Sequence, residues 1–83
     1  MYRLKLTTRA KKELKSISIR HRLSLSNIFE EIKENPLIGK PLSRDLTERY
    51  TYRVGVYRII YKINKSDKII SIITAGHRSK IYD

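Results

Sequence analysis

The segment HRSKIYD, residues 77–83, gathers His77, Arg78, Lys80 and Tyr82 into one short stretch. Two further arginines, Arg53 and Arg58, flank the dipeptide Gly55-Val56 earlier in the chain. These types suit phosphate chemistry without a metal. Arginine grips phosphate oxygens with a planar, two-pronged donor set. Histidine, tyrosine or a lysine of shifted pKa moves protons. RNA cleavage needs no outside nucleophile, because the ribose 2′-OH attacks its own phosphate. A catalyst aligns that attack, takes a proton, stabilises charge on phosphorus oxygens and protonates the leaving 5′ oxygen.

Other chemistries find less support. There is no cysteine, so thiol catalysis and a disulfide scaffold are excluded. His21 and His77 share no ligand spacing with each other or with nearby acids, and no glycine-rich phosphate loop or serine nucleophile turn is present. Acids are few, and none falls among the suspected residues, which disfavours a two-carboxylate mechanism. The sequence predicts no metal and no cofactor.

Positioning these groups takes a small set of elements. YRLKL, residues 2–6, alternates apolar and basic like a half-buried strand, with Arg3 and Lys5 facing out. Thr7 or Thr8 offers an N-cap, and Ala10, Leu14 and Ile17 follow at helical spacing. Ser16 and Ser18 mark a break. A second helix runs from about Ile19 to Glu34 on Leu25, Ile28, Phe29 and Ile32, and Asn35-Pro36 ends it. Residues 37–49 read as a surface connection. RYTYRV (49–54), VYRIIYKI (56–63) and KIISIITA (68–75) read as strands, parted by Gly55 and by the turn-like NKSD (64–67). Such short breaks force antiparallel pairing. The expected fold is α+β in the order βααβββ, a single domain over 1–83, with a helical hairpin packed on one face of a small, mainly antiparallel sheet.

The other face is then free for a partner. In VYRIIYKI, Tyr57, Ile59, Tyr61 and Ile63 suit the covered face, and Val56, Arg58, Ile60 and Lys62 the open one. A loop of Val54-Gly55 sets Arg53 opposite Val56; a loop of Gly55-Val56 sets it opposite Arg58. Either two-residue loop puts both arginines on the open face, whereas a three-residue loop breaks the inference. Facing like charges are unfavourable in a sheet unless an anion sits between them. Two splayed, solvated arginines are the other reading of the same spacing. The last strand leads into His77, Arg78, Lys80 and Tyr82, which are expected to converge on the open face from the sheet edge.

Composition fits a polyanion partner. Nineteen lysines and arginines against eight acids give +11 on 83 residues, a field that attracts nucleic acid, an acidic protein or an anionic membrane. No run of about 18 apolar residues exists, so no membrane span is expected. MYRLKLTTRAKK has no apolar signal-peptide core, and a cytoplasmic location is the expectation.

GKPLSRDL (39–46), YRVGVYRIIYKI (52–63) and AGHRSKIYD (75–83), at this spacing, resemble the RelE/ParE superfamily of type II toxins. The likeness covers nearly the whole chain. The ending HRSKIY is similar to the RelE branch, whose members are ribosome-dependent mRNA interferases cutting mRNA in the ribosomal A site. The resemblance implies that Arg58 binds the scissile phosphate and that Arg78 stabilises the transition state or leaving group. It implies that Tyr82 stacks on or orients the nucleotide. Arg53 falls where one branch carries a basic residue near the 2′-OH. That branch has two lysines in this strand, where Thr51 and Arg53 stand here. Arginine keeps its proton and is a poor base, which leaves His77 or Lys80 for proton transfer.

Arg3, Lys5, Lys11 and Lys12 are expected to touch RNA or the ribosome, as are Arg49, Lys62 and Lys80. The implied partners are the ribosome with mRNA in its A site, ribosomal RNA, and a cognate acidic antitoxin that folds onto the basic surface. Two alternatives share the composition: a ParE-like inhibitor of DNA gyrase, and a ribosome- or RNA-binding domain without catalysis.

Overall fold

The computed structural model describes residues 2–42 and 48–77. Strand β1 (Arg3–Leu6) is followed by helices α1 (Thr8–Lys15) and α2 (Ile19–Glu34), a 3-10 turn (Pro36–Ile38), and strands β2 (Lys40–Pro41), β3 (Arg49–Val54), β4 (Tyr57–Asn64) and β5 (Ile69–His77). The five strands lie in the order β1-β5-β4-β3-β2. β1 runs parallel to β5, and the other pairs are antiparallel.

α1 begins where a hydroxyl cap was expected. Thr7 Oγ1 accepts the Ala10 N–H at 3.1 Å, and its own O–H donates to the Ile73 carbonyl at 3.0 Å. One side chain thus caps α1 and ties it to the sheet. Ser16 closes α1 by donating its backbone N–H and its hydroxyl to the Glu13 carbonyl. Ile17 therefore falls outside the helix, though it still packs against the core. Ser18 caps α2 through the His21 N–H.

The core joins the buried stripe of α2 (Leu25, Ile28, Phe29 and Ile32) and Ala10 of α1 to Ile59, Tyr61 and Ile63 of β4 and Ile70, Ile72 and Ala75 of β5. Both helices cover one face, as the strand alternation requires. Tyr61, fully buried, donates its hydroxyl to the Pro36 carbonyl at 2.6 Å and accepts the Gly39 N–H at 3.0 Å. This fastens the 3-10 turn to the sheet. A side chain at position 39 would sit 2.7 Å from that hydroxyl and 2.8 Å from the Thr51 carbonyl, which explains glycine there.

The connection expected over 37–49 holds more structure than anticipated. Its described part includes the 3-10 turn and β2, which pairs Lys40 with Thr51 and Pro41 with Tyr50. Two residues, one a proline, show no alternation to read. β5 also runs on to His77, past the expected end at Ala75.

β1 stops at Leu6, opposite Ile72, so beyond that point α1 takes its place along β5. There the Glu13 carboxylate accepts the Ala75 N–H at 3.1 Å and the Thr74 hydroxyl at 2.6 Å, while Arg9 Nε donates to it at 3.2 Å. An acidic side chain thereby satisfies an amide that a neighbouring strand would otherwise take.

Candidate functional site

The register of the sheet assigns each basic residue to a face. Arg53 stands directly opposite Arg58, and Val54 opposite Tyr57, so the loop is Gly55-Val56. Gly55 has φ +59°, the positive dihedral that the first position of a type II′ hairpin turn needs. Both arginines lie on the face away from the helices. A second rung on that face runs Lys5, Ser71, Lys62, Arg49 across four strands. Arg3, opposite Ile69, and Lys40, opposite Thr51, lie on the same face on other rungs. Among the described strand residues none on this face is acidic. Glu13, Glu30, Glu31 and Glu34 all belong to the helices.

Arg58 is half-buried, and its Nε donates to Thr51 Oγ1 at 3.3 Å. That bond fixes the plane of the guanidinium from a neighbouring strand. Such a fixed fork matches a phosphodiester better than a freely rotating cation does. Arg53 is exposed, as are Lys5, Lys40, Arg49 and Lys62.

His77 corrects one expectation. It pairs with Tyr57, whereas Gly76 is the residue opposite Arg58. Cross-strand partners share a face, so His77 lies on the helix side and not beside the arginines. There it joins a cluster that sequence reasoning missed. His21, in the first turn of α2, is hydrogen-bonded through Nδ1 to the Tyr57 hydroxyl. Its ring meets Tyr57 edge-on at 5.3 Å and His77 at 6.2 Å between centroids. Residues 21 and 77 are far apart in sequence, and only the β4–β5 register could have joined them. β5 is an inner strand between β1 and β4 only up to Ile72; beyond it β1 has ended, so the last residues of β5 lie at a local sheet edge beside α1, as expected.

Arg78, Lys80 and Tyr82 lie outside the described residues. Lys11 and Lys12 are exposed on α1, in the helical layer, away from the arginine face. The sequence reading also passed over Lys40, because β2 is too short to announce itself.

Two tyrosines have phenol pKa values above the usual one. Tyr52 is raised by donating its hydroxyl to Glu31 at 2.9 Å, then by burial and by the Glu31 charge. Tyr61 is raised by burial, opposed by the Gly39 N–H. Both stay protonated at neutral pH and so are not bases. No group of three or more His, Cys, Asp or Glu side chains able to hold a metal occurs among the described residues.

Comparison with known proteins agrees with this geometry. Residues 4–82 match the family model of the ParE toxin of the type II toxin-antitoxin system parDE. A curated relative, Toxin RelG of Mycobacterium tuberculosis, is 31% identical over 83 residues, covering 98% of this chain and 95% of its own. The crystal structure of the toxin-antitoxin complex RelBE2 from Mycobacterium tuberculosis superposes with TM-score 0.83 at 30% identity, covering 93% of this chain and 98% of that one. The intact E. coli RelBE toxin-antitoxin complex gives TM-score 0.79 at 25% identity, covering 93% and 96%. The family model carries the ParE name, and these relatives carry the names RelG, RelBE2 and RelBE. The chain belongs to the RelE/ParE family of type II toxins, on its RelE branch.

Proposed function

We propose that this toxin is a ribosome-dependent mRNA endonuclease that arrests translation by cutting mRNA in the ribosomal A site. The observation that supports it most is the Arg53–Arg58 rung at the hairpin end of a cationic sheet face that carries no acid among the described strand residues. In this reading the 2′-oxygen forms a bond to phosphorus and loses its proton to a base. The P–O5′ bond breaks, and the 5′ oxygen takes up a proton. The products are a 2′,3′-cyclic phosphate and a 5′-hydroxyl. Arg58, its Nε engaged by Thr51, binds the scissile phosphate. Arg53 stabilises charge that builds on the phosphorus oxygens. Arg78 supports the leaving oxygen and Tyr82 orients the nucleotide, as the family likeness implies. Lys80 is the proton acceptor, since the arginines keep their protons and His77 faces the helices.

The outer cations Arg3, Lys5, Lys40, Arg49 and Lys62 hold the RNA backbone of mRNA and ribosome. A cognate antitoxin, such as the similar toxins have in their complexes, is the protein partner. An acidic segment fits the same cations and would block the site. The target places the toxin in the cytoplasm; among the described residues no helix is long and apolar enough to cross a membrane.

Primer extension on an mRNA, with and without ribosomes, tests the reading. The parent should cut only when ribosomes are present, and Arg58→Ala should lose the cuts while remaining folded. Undiminished cutting by Arg58→Ala would refute the site. The ParE name of the family model supports gyrase as a second target. In that case expression would raise DNA-damage signalling and leave mRNA uncut.

A further inference from the structure

We propose that a groove at the β3 edge, beside Lys40, is a subsite that holds the base of a nucleotide flanking the cleaved bond. The proposal rests on the endonuclease reading above. β2 begins at Lys40, opposite Thr51, so among the described residues the edge of β3 beyond Thr51 has no strand neighbour. A groove of about 380 Å³ lies there, lined by Ile38, Lys40, Thr51, Tyr52 and Arg53. That volume is in the range of small-molecule sites, about 300–1,000 Å³.

Its walls and mouth differ in chemistry. Tyr52 supplies an aromatic wall whose hydroxyl is anchored on Glu31 at 2.9 Å. Ile38 supplies an aliphatic wall, held by the fastening of the 3-10 turn to Tyr61. Lys40 and Arg53 are exposed cations at the mouth. An aromatic platform beside cations is the arrangement that binds single-stranded nucleic acid through base stacking and phosphate contact.

Backbone direction adds a polar edge. The Arg49 carbonyl accepts the Leu42 N–H, so the backbone groups of Arg49 point toward β2. Alternation along the strand points those of Thr51 and Arg53 the same way. The N–H and C=O of Arg53 therefore face the groove, where a base presents donors and acceptors. Thr51 lines the groove and also holds Arg58. Tyr52, opposite Ile59, lies on the helix side of the sheet, so an RNA strand with one phosphate on Arg58 passes round the open β3 edge to set a neighbouring base against its ring.

Binding of short 2′-deoxy-blocked trinucleotides, which cannot be cleaved, provides the test. One probe carries a base at the flanking position and the other is abasic there. Stacking on an aromatic is worth about 1–3 kcal/mol per base, so the parent should bind the intact probe roughly tenfold more tightly. Tyr52→Leu should bind both probes alike, whereas Tyr52→Phe, which keeps the ring, should retain the difference. Lys40→Ala should weaken both by a similar few-fold factor and raise KM for ribosomal cleavage with little change in kcat. If Tyr52→Leu, folded by circular dichroism, still discriminates between the probes as the parent does, the subsite is refuted. Cutting by Arg58→Ala at the parent's rate would instead refute the endonuclease site on which the subsite depends.

Discussion

Tyr61→Phe removes one oxygen from the centre of the core and should cost about 3 kcal/mol. The ring stays, so packing against the core is unchanged. Two bonds are lost: O–H to the Pro36 carbonyl at 2.6 Å, and the Gly39 N–H to the phenol oxygen at 3.0 Å. An unsatisfied buried donor or acceptor costs about 1–3 kcal/mol. The Gly39 bond is buried and belongs near the upper figure. The Pro36 bond is partly buried, so water can replace much of it. For a domain of this size about 1 kcal/mol moves Tm by roughly 4–8 °C, so the variant should melt at least about 10 °C lower. Urea unfolding should show a lower midpoint with an unchanged slope, because the surface exposed on unfolding is the same. A loss below about 1 kcal/mol would mean that the 3-10 turn is not held through Tyr61. Because that turn carries Ile38 and leads into Lys40, a folded Tyr61→Phe should also bind the base-bearing trinucleotide less well.

Glu13→Ala removes the acceptor for Thr74, Ala75 and Arg9 and should destabilise by about 2–3 kcal/mol. Glu13→Gln keeps one carbonyl oxygen and should lose roughly half as much, read by urea midpoints. Gly55→Ala meets no atom within 4 Å, so its cost is conformational: φ +59° should cost about 1–2 kcal/mol, measured as a fall in Tm. Raising pH should expose Tyr61. Its folded pKa lies above the unfolded value of about 10. The resulting stability is fully present below that pH and is lost as pH climbs past it. Urea midpoints measured from pH 8 to 11 should therefore fall more steeply for the parent than for Tyr61→Phe.

Local pattern made most of the fold legible. α2 was readable to its ends because Ser18 and Asn35-Pro36 bracket an uninterrupted apolar stripe, and each boundary has its own chemical cause. β4 was readable because Tyr57, Ile59, Tyr61 and Ile63 alternate with Arg58, Ile60 and Lys62, an apolar and aromatic set against one that carries the charge. β2 was not, since a two-residue strand takes its identity from Thr51 and Tyr50 across the sheet and not from its own sequence. The parallel partnership of β1 was equally out of reach. It depends on where two helices return the chain, and YRLKL would look the same beside either neighbour.

The site divides along the same line. Arg53 and Arg58 lie either side of a two-residue turn, so strand parity alone put them on one face, and the register shows them directly opposed. His77 defeats that method. Its sequence neighbours mark it as the start of a tail with Arg78, yet β5 continues through it. Between Ile60 and Tyr61 the β4–β5 register slips, leaving Ile73 as an extra residue on β5. Such an insertion shifts which cross-strand partner every later residue meets. Counting along the strand could not assign His77 a face; its pairing with Tyr57 does, and places its ring against His21. The proton acceptor of the proposed reaction must then come from another position. A pH–rate profile of Lys80→Ala decides the matter: loss of the rise in rate on the acid side supports Lys80, and a profile unchanged from the parent rules it out.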